Sequence, residues 1–219
     1  NLHILGANAI EVLNTDGIEY LKNFDGLLDW IYIDPSRRDD SKGKVVKISD
    51  CTPDITAHLE LLKEKSKGIL LKTSPLLDIS MGLKELKSVE EIHIVAVNNE
   101  VKEVLWIIKD TNYPEPLIKT INLKDSGDEV FIFKRSDENS IQSVLSIPLK
   151  YLYEPNAAIL KAGAFKAIGK QFHLKKLHEH THLYTSHKKV NFPGRIFKIL
   201  STHPYNKKSL AALQFEIAH

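Results

Sequence analysis

The chain has 219 residues, 42% hydrophobic and 26% charged with a net charge of +2, which are the proportions of an ordinary globular protein and exclude a disordered or fibrous one. No apolar run reaches the roughly 20 residues that cross a bilayer, and no signal peptide opens the chain, so neither a membrane protein nor a secretory precursor is expected. One cysteine, Cys51, allows neither an internal disulfide nor a multi-cysteine zinc site, which fits a reducing compartment and makes the cytoplasm the expected location.

At roughly 150 residues per domain the length suggests one to two domains. The chain begins at Asn1 and its only methionine is Met81, so a fragment of a longer protein is expected. From the start, short β-branched runs alternate with helical patterns, as in a parallel sheet covered by helices. Strands are predicted at Ile10–Asn14, Trp30–Asp34, Gly68–Thr73, Ile92–Asn98 and Val104–Lys109. Helices are predicted at Gly17–Asn23, Asp54–Lys65 and Ile79–Leu86, with Asp50, Thr52 or Asp54 as caps for the second. Only Asn99–Glu103 separates the last two strands. A parallel crossover needs a dozen residues or more, so these strands must pair antiparallel.

Pro114 and Pro116 mark a boundary, which divides the chain into domains at 1–112 and 113–219. Beyond it, strands are predicted at Leu117–Leu123 and Glu129–Lys134 around the turn sequence Lys-Asp-Ser-Gly-Asp. Asn156 is placed to cap an amphipathic helix running to about Phe172. Strands near His180–Thr185 and Arg195–Thr202 and a helix near Lys207–Leu213 complete a small α+β tail. The charge is uneven across this division. Residues 1–110 carry 14 basic and 19 acidic side chains, whereas residues 149–219 carry 12 basic, 3 acidic and seven of the ten histidines. A basic block of this kind attracts phosphate backbones without regard to base sequence, and it serves equally as a solvated surface that favours solubility.

The most specific feature is Asp34-Pro35-Ser36-Arg37-Arg38, directly after the apolar strand Trp30-Ile31-Tyr32-Ile33. In an open α/β sheet, ligands bind beyond the carboxyl ends of the strands, so Asp34 is placed at a site. Pro35 restricts Asp34 to an extended conformation and so fixes where the strand exits. The next strand ends at the same edge in Lys72-Thr73-Ser74-Pro75, with Asp78 following, so Lys72, Ser74 and Asp78 are candidates to line an acceptor pocket. Asn98-Asn99-Glu100 with Lys102-Glu103 reads as hairpin chemistry. The run His178-Glu179-His180-Thr181-His182 would share a strand face, but it has no fourth ligand at a recognisable spacing and is read as a polar face. Tyr151, Tyr153 and Tyr184 are read as packing residues, and Cys51 as inert.

The order Asn14-Thr15-Asp16-Gly17, Ile18–Leu21, Phe24-Asp25 and the strand ending at Asp34-Pro35-Ser36-Arg37 resembles the second half of class I S-adenosylmethionine-dependent methyltransferases. The resemblance implies that Asp16, with Gly17, contacts the adenine of S-adenosylmethionine. It also implies that Asp34, Pro35, Ser36 and Arg37 line the methyl-transfer site. Ser36 stands where that family usually has a second proline. A closer resemblance runs through nearly the whole chain: I-Y-I-D-P-S-R-R, L-L-K-T-S-P-L-L-D-I-S, E-L-K-S-V-E-E-I-H-I-V-A-V-N-N-E-V-K-E, Y-L-Y-E-P-N-A-A-I-L-K-A-G-A-F and H-L-Y-T-S. These strings are similar to those of the bacterial THUMP-like-domain methyltransferases, class I enzymes with a ferredoxin-like insert and a terminal THUMP-like module.

The fold class this implies is α/β, the C-terminal part of a Rossmann-like class I methyltransferase sheet with an antiparallel terminal hairpin, followed by a small α+β ferredoxin-like domain. The glycine-rich turn for the cofactor and the acidic residue for its ribose are absent from the chain. It is therefore expected to be a central fragment, without the N-terminal cofactor motif and the C-terminal THUMP-like module, and inactive alone. THUMP modules elsewhere bind RNA, so the implied acceptor is a base in tRNA or rRNA, with Asp34 as hydrogen-bond acceptor or base and Arg37 and Arg38 on phosphate. A non-catalytic RNA-binding module and an assembly domain with an exposed sheet edge are the competing readings.

Overall fold

The computed structural model describes residues 4, 6–7, 9–37, 47–110, 113–207 and 209. The described chain forms two compact units: residues 1–92 with 103–116, and residues 93–102 with 117–219. The boundary thus falls at Pro116/Leu117, four residues past the expected one, and the second unit also takes residues 93–102. No described helix is long and apolar enough to cross a membrane.

In the first unit, α1 (Gly17–Lys22) starts at Asp16, whose Oδ1 accepts from the N–H groups of Ile18 and Glu19 at 2.9 and 3.0 Å. This bond pattern satisfies two of the donors that a helix start leaves without partners. β1 (Ile31–Ile33) follows, then the two-residue strand β2 (Ser36–Arg37), a 3₁₀ turn (Ile48–Asp50) and β3 (Cys51–Thr52), which pairs antiparallel with β2. α2 (Ile55–Lys65) is capped by Asp54 and buries Ile55, Leu59 and Leu62, the spacing of one helix face. β4 (Ile69–Thr73) lies parallel to β1, with Ile31, Tyr32 and Ile33 opposite Ile69, Leu70 and Leu71.

α3 (Ile79–Glu85) leads to β5 (Val89–Val97) and β6 (Glu100–Ile108). The connection between them is the two residues Asn98 and Asn99, at φ 49° and 67°. Two left-handed central residues make the hairpin turn whose twist matches paired strands, and asparagine tolerates that conformation. The loop is shorter than the expected Asn99–Glu103, because β6 begins at Glu100 and not at Val104. The strand order is β1-β4-β6-β5, with β6 antiparallel to β4. Trp106 on β6 is fully buried and donates its Nε1–H to Thr73 Oγ1 at 2.9 Å. Gly82 of α3 leaves room for this ring, since a Cβ there would lie 2.4 Å from Trp106 Cη2.

In the second unit, the tip of that hairpin lies with β7 (Leu117–Leu123) and β8 (Glu129–Phe133), in the order β5-β7-β8. After α4 (Arg135–Ser140), the strands β9 (Tyr151–Pro155), β10 (Lys175–Lys176), β11 (Tyr184–Ser186) and β12 (Gly194–Lys198) form an antiparallel sheet ordered β10-β11-β9-β12. Between β9 and β10 run α5 (Ala157–Ala162) and α6 (Ala167–Gln171). Asn156 caps α5 through Ile159 N–H at 3.1 Å, and its amide donates to Glu129 at 2.9 Å. Glu129 also accepts from Asn122 and Lys124, so one carboxylate ties β7, β8 and the start of α5 together.

Four expectations are corrected. Ile10–Asn14 is irregular, and Ile10, Val12 and Leu13 are exposed, because no strand among the described residues lies beside this run to offer it a ladder. The single helix from Asn156 is two, broken where Gly163 turns left-handed at φ 77°. Residues 178–181 form a turn, with Thr181 N–H on the carbonyl of His178, and the strand begins only at Tyr184. The last strand spans Gly194–Lys198 and stops short of Thr202. The helix expected at Lys207–Leu213 lies almost wholly outside the described residues.

Candidate functional site

The parallel register of β1 and β4 carries their carboxyl ends to one edge. Asp34 leaves β1 one residue past Ile33, and Lys72 follows Leu71, the partner of Ile33, on β4. The result is an ion pair: Lys72 Nζ donates to Asp34 Oδ2 at 2.6 Å. Glu103 of β6 places Oε2 4.0 Å from the same ammonium. The hydrogen bond to Asp34 raises the Lys72 pKa against the opposing effect of partial burial, with the charges of Asp34, Tyr32 and Glu103 adding to it. Lys72 therefore stays protonated at neutral pH and holds the Asp34 carboxylate in one orientation.

The other residues at this edge have local duties as well. Asp78 caps α3 through Met81 N–H at 2.9 Å, and Ser74 Oγ accepts from Leu76 N–H at 3.3 Å. Ser36 is exposed and its hydroxyl faces the carbonyl of Thr52 at 3.4 Å. Pro35 is half-buried. Arg37 sits in β2 opposite Cys51, and Arg38 lies outside the described residues. Glu103 is the residue that sequence reasoning missed. Its place in a Lys-Glu hairpin string suggested turn chemistry, and only the insertion of β6 beside β4 brings it to Lys72.

Asp16 and Gly17 line a separate cavity of about 250 Å³ in the same unit. Its walls are apolar, built from Ile18 and Leu21 of α1, Ile31 and Ile33 of β1, and Pro53. Apolar walls beside a carboxylate are compatible with the base of a nucleoside, the part of S-adenosylmethionine that these residues would hold. The Asp16 carboxylate already caps α1 through one oxygen, and any ligand contact adds to that role.

The histidine string shares no strand face. His178 and His180 stand in the turn with ring centroids 5.4 Å apart, and His182 stacks on Phe165 at 3.8 Å. Tyr153 and Tyr184 are buried, and Tyr184 donates to the carbonyl of Phe165 at 2.6 Å. Cys51 is buried, with Sγ 3.7 Å from the carbonyl of Lys47.

A ferredoxin-like domain family matches residues 151–193, the segment from β9 to the loop before β12. A solved structure of a proposed methyltransferase from Porphyromonas gingivalis W83 is 39% identical to the chain, with a TM-score of 0.76 over 83% of it. The match takes in 46% of that protein, so the chain spans less than half of its length. No curated protein matches the chain.

Proposed function

We propose that the chain is the cofactor-distal half of a class I, S-adenosylmethionine-dependent methyltransferase sheet joined to a ferredoxin-like domain, within a THUMP-like-domain methyltransferase that modifies a nucleobase in RNA. The observation that carries this reading is the strand order β1-β4-β6-β5, in which a final antiparallel strand inserts beside the strand bearing Lys72. That order is the one the closing half of a Rossmann-like methyltransferase sheet would have, and it supports the reading. The likeness to the Porphyromonas gingivalis protein, itself described as a methyltransferase, supports the same reading.

S-adenosylmethionine, when bound, supplies an activated methyl group, and the protein's task is to align the acceptor and take up a proton where one is lost. Asp16 and Gly17 would hold the adenine end. Asp34 accepts a hydrogen bond from an N–H of the acceptor base, and Lys72 fixes the carboxylate for that contact. Pro35 and Ser36 shape the rim, with Ser74 and Asp78 on the neighbouring loop. Arg37 and Arg38 supply phosphate contacts, which suit a nucleic acid better than a small neutral acceptor.

The test uses the full-length protein that contains this chain, radiolabelled S-adenosylmethionine, and tRNA and rRNA as acceptors. Asp34→Ala should lower methyl transfer by about 10²-fold or more, the usual cost of losing a positioned acid or base, while leaving cofactor affinity within about threefold. Full activity of the Asp34→Ala protein, or transfer to no RNA at all, would sink the reading.

A further inference from the structure

The second unit holds an open cavity of about 480 Å³ that the methyl-transfer site does not use. Ile141, Val144 and Leu174 give it an apolar lining, with the bare backbone of Gly169 and the ring of Tyr184 beside them. Lys166, Lys170, Lys175 and His173 add cationic groups, and Ser140, Gln142 and Ser143 add neutral polar ones. Apolar surface with a cationic rim is the combination that a nucleotide needs, a face for the base and charge for the phosphate.

Positive charge here is only partly compensated. Glu138 spends both carboxylate oxygens on the backbone N–H groups of Lys166 and Ala167, at 2.8 Å each. Lys176 is buried and donates to the carbonyl of Glu179 at 2.7 Å, which leaves Lys166, Lys170 and Lys175 for a ligand. Burial holds the Lys176 ammonium below its ordinary pKa, opposed by Glu138 and joined by Lys166. Burial and then Lys176 do the same to His182. Lys166 thus opposes the charge on Lys176 while Glu138 supports it, and an anion placed among the lysines would act in the same sense as Glu138. His173 adds a backbone sign. It stands after α6 at φ 53°, where glycine is the usual residue, and it lines the cavity.

We propose that this cavity binds a phosphorylated nucleotide unit, with its base on the apolar lining and its phosphate among Lys166, Lys170 and Lys175. The source of that unit is either an RNA strand or a free mononucleotide. The RNA source rests on the RNA reading above, while the nucleotide chemistry stands without it.

The test measures anisotropy of a fluorescein-labelled RNA of about ten adenosines with the 219-residue chain, and competition by adenosine 5′-monophosphate, at roughly 100 mM salt. Lys170→Glu with Lys175→Glu should weaken RNA binding roughly tenfold and reduce the slope of log affinity against log salt by about 1.4, the value for two lost single-strand phosphate contacts. Lys188→Glu with Lys189→Glu changes the charge equally elsewhere and should cost less than about threefold. Ser143→Trp fills the cavity without changing charge and should weaken RNA and mononucleotide alike. Cavity-dependent mononucleotide binding with cavity-independent or absent RNA binding assigns the free nucleotide and counts against the RNA reading. Equal losses in the two charge-reversed proteins, together with an unaltered Ser143→Trp protein, would overturn the cavity itself.

Discussion

The two units use charge in opposite ways. At the carboxyl edge of the first, Asp34, Lys72 and Glu103 alternate in sign: Lys72 holds Asp34 at 2.6 Å and lies 4.0 Å from Glu103, and the three together carry a single net negative charge. Around the cavity of the second, four lysines and His173 line the wall with no acidic side chain among the described lining residues, so positive charge is in excess there. A mixed cluster positions and a like-charged cluster attracts. Under the proposed function, the first would align an acceptor and the second would attract one.

The largest effect that separates the units is expected at Gly194. A Cβ there would meet Glu154 O at 2.2 Å and Asn156 N at 2.9 Å, both backbone atoms that cannot step aside, and the φ of 151° disfavours any side chain. Gly194→Ala should destabilise the second unit by about 3 kcal/mol or more. Both tryptophans, Trp30 and Trp106, belong to the first unit, so their fluorescence reports on it alone. In urea, the circular-dichroism transition of Gly194→Ala should move to lower concentration while the tryptophan transition stays. Equal displacement of the two would show one cooperative structure and end the comparison on stability grounds.

Thr73→Val is the matching change in the first unit. It strands the buried indole N–H of Trp106, which should cost about 1–3 kcal/mol and shift the tryptophan transition. Glu129→Ala acts in the second unit on the same scale, since Asn122, Asn156 and Lys124 all lose an acceptor. Burial works to raise the pKa of Glu129, but the hydrogen bonds from Lys124, Asn122 and Asn156 outweigh it and leave the carboxyl lowered. Its contribution is then present above the unfolded value of 4.5 and lost as pH falls through the lower folded one. Urea midpoints between pH 3 and 6 should fall with acid in the parent and less so in Glu129→Ala.

Much of this arrangement was legible beforehand because it is local. Asn156, and Asp54 among three candidates, announce helix starts through their own side chains and act as caps; Asp16 and Asp78, read as ligand contacts, cap helices too. The loop between β5 and β6 was too short for anything but antiparallel pairing. What escaped was set by partners distant in sequence. The run Ile10–Asn14 has strand residues and no strand beside it among the described residues, so propensity misled. The two-residue strands β2 and β3 exist only because they pair with each other across the segment 38–50. The edge residues Asp34 and Lys72 were readable from strand ends, whereas Glu103 needed the position of β6. In the tail, the basic composition was plain, but the cavity that gives it a shape depends on α6, β10 and the 140–144 segment coming together.

The smallest expected effect bears most directly on the mixed-charge edge. Lys72 titrates above its ordinary value chiefly through the hydrogen bond to Asp34, so Asp34→Asn should bring its pKa down toward 10.5, leaving Glu103 at 4.0 Å as the remaining acidic neighbour. A group raised in this way contributes stability that is whole below 10.5 and disappears as pH climbs through the folded value. Both side chains are partly exposed and solvent screens them, so the change belongs in titration curves and not in melting temperatures. Nuclear magnetic resonance of lysine Cε carbons between pH 9 and 12 should show one resonance, absent in Lys72→Met, whose midpoint falls in Asp34→Asn and falls further when Glu103→Gln is added. An unchanged midpoint in Asp34→Asn would mean that the ion pair does not hold in solution. The edge would then lose its positioning role, and the contrast with the lysine-lined cavity would rest on the cavity alone.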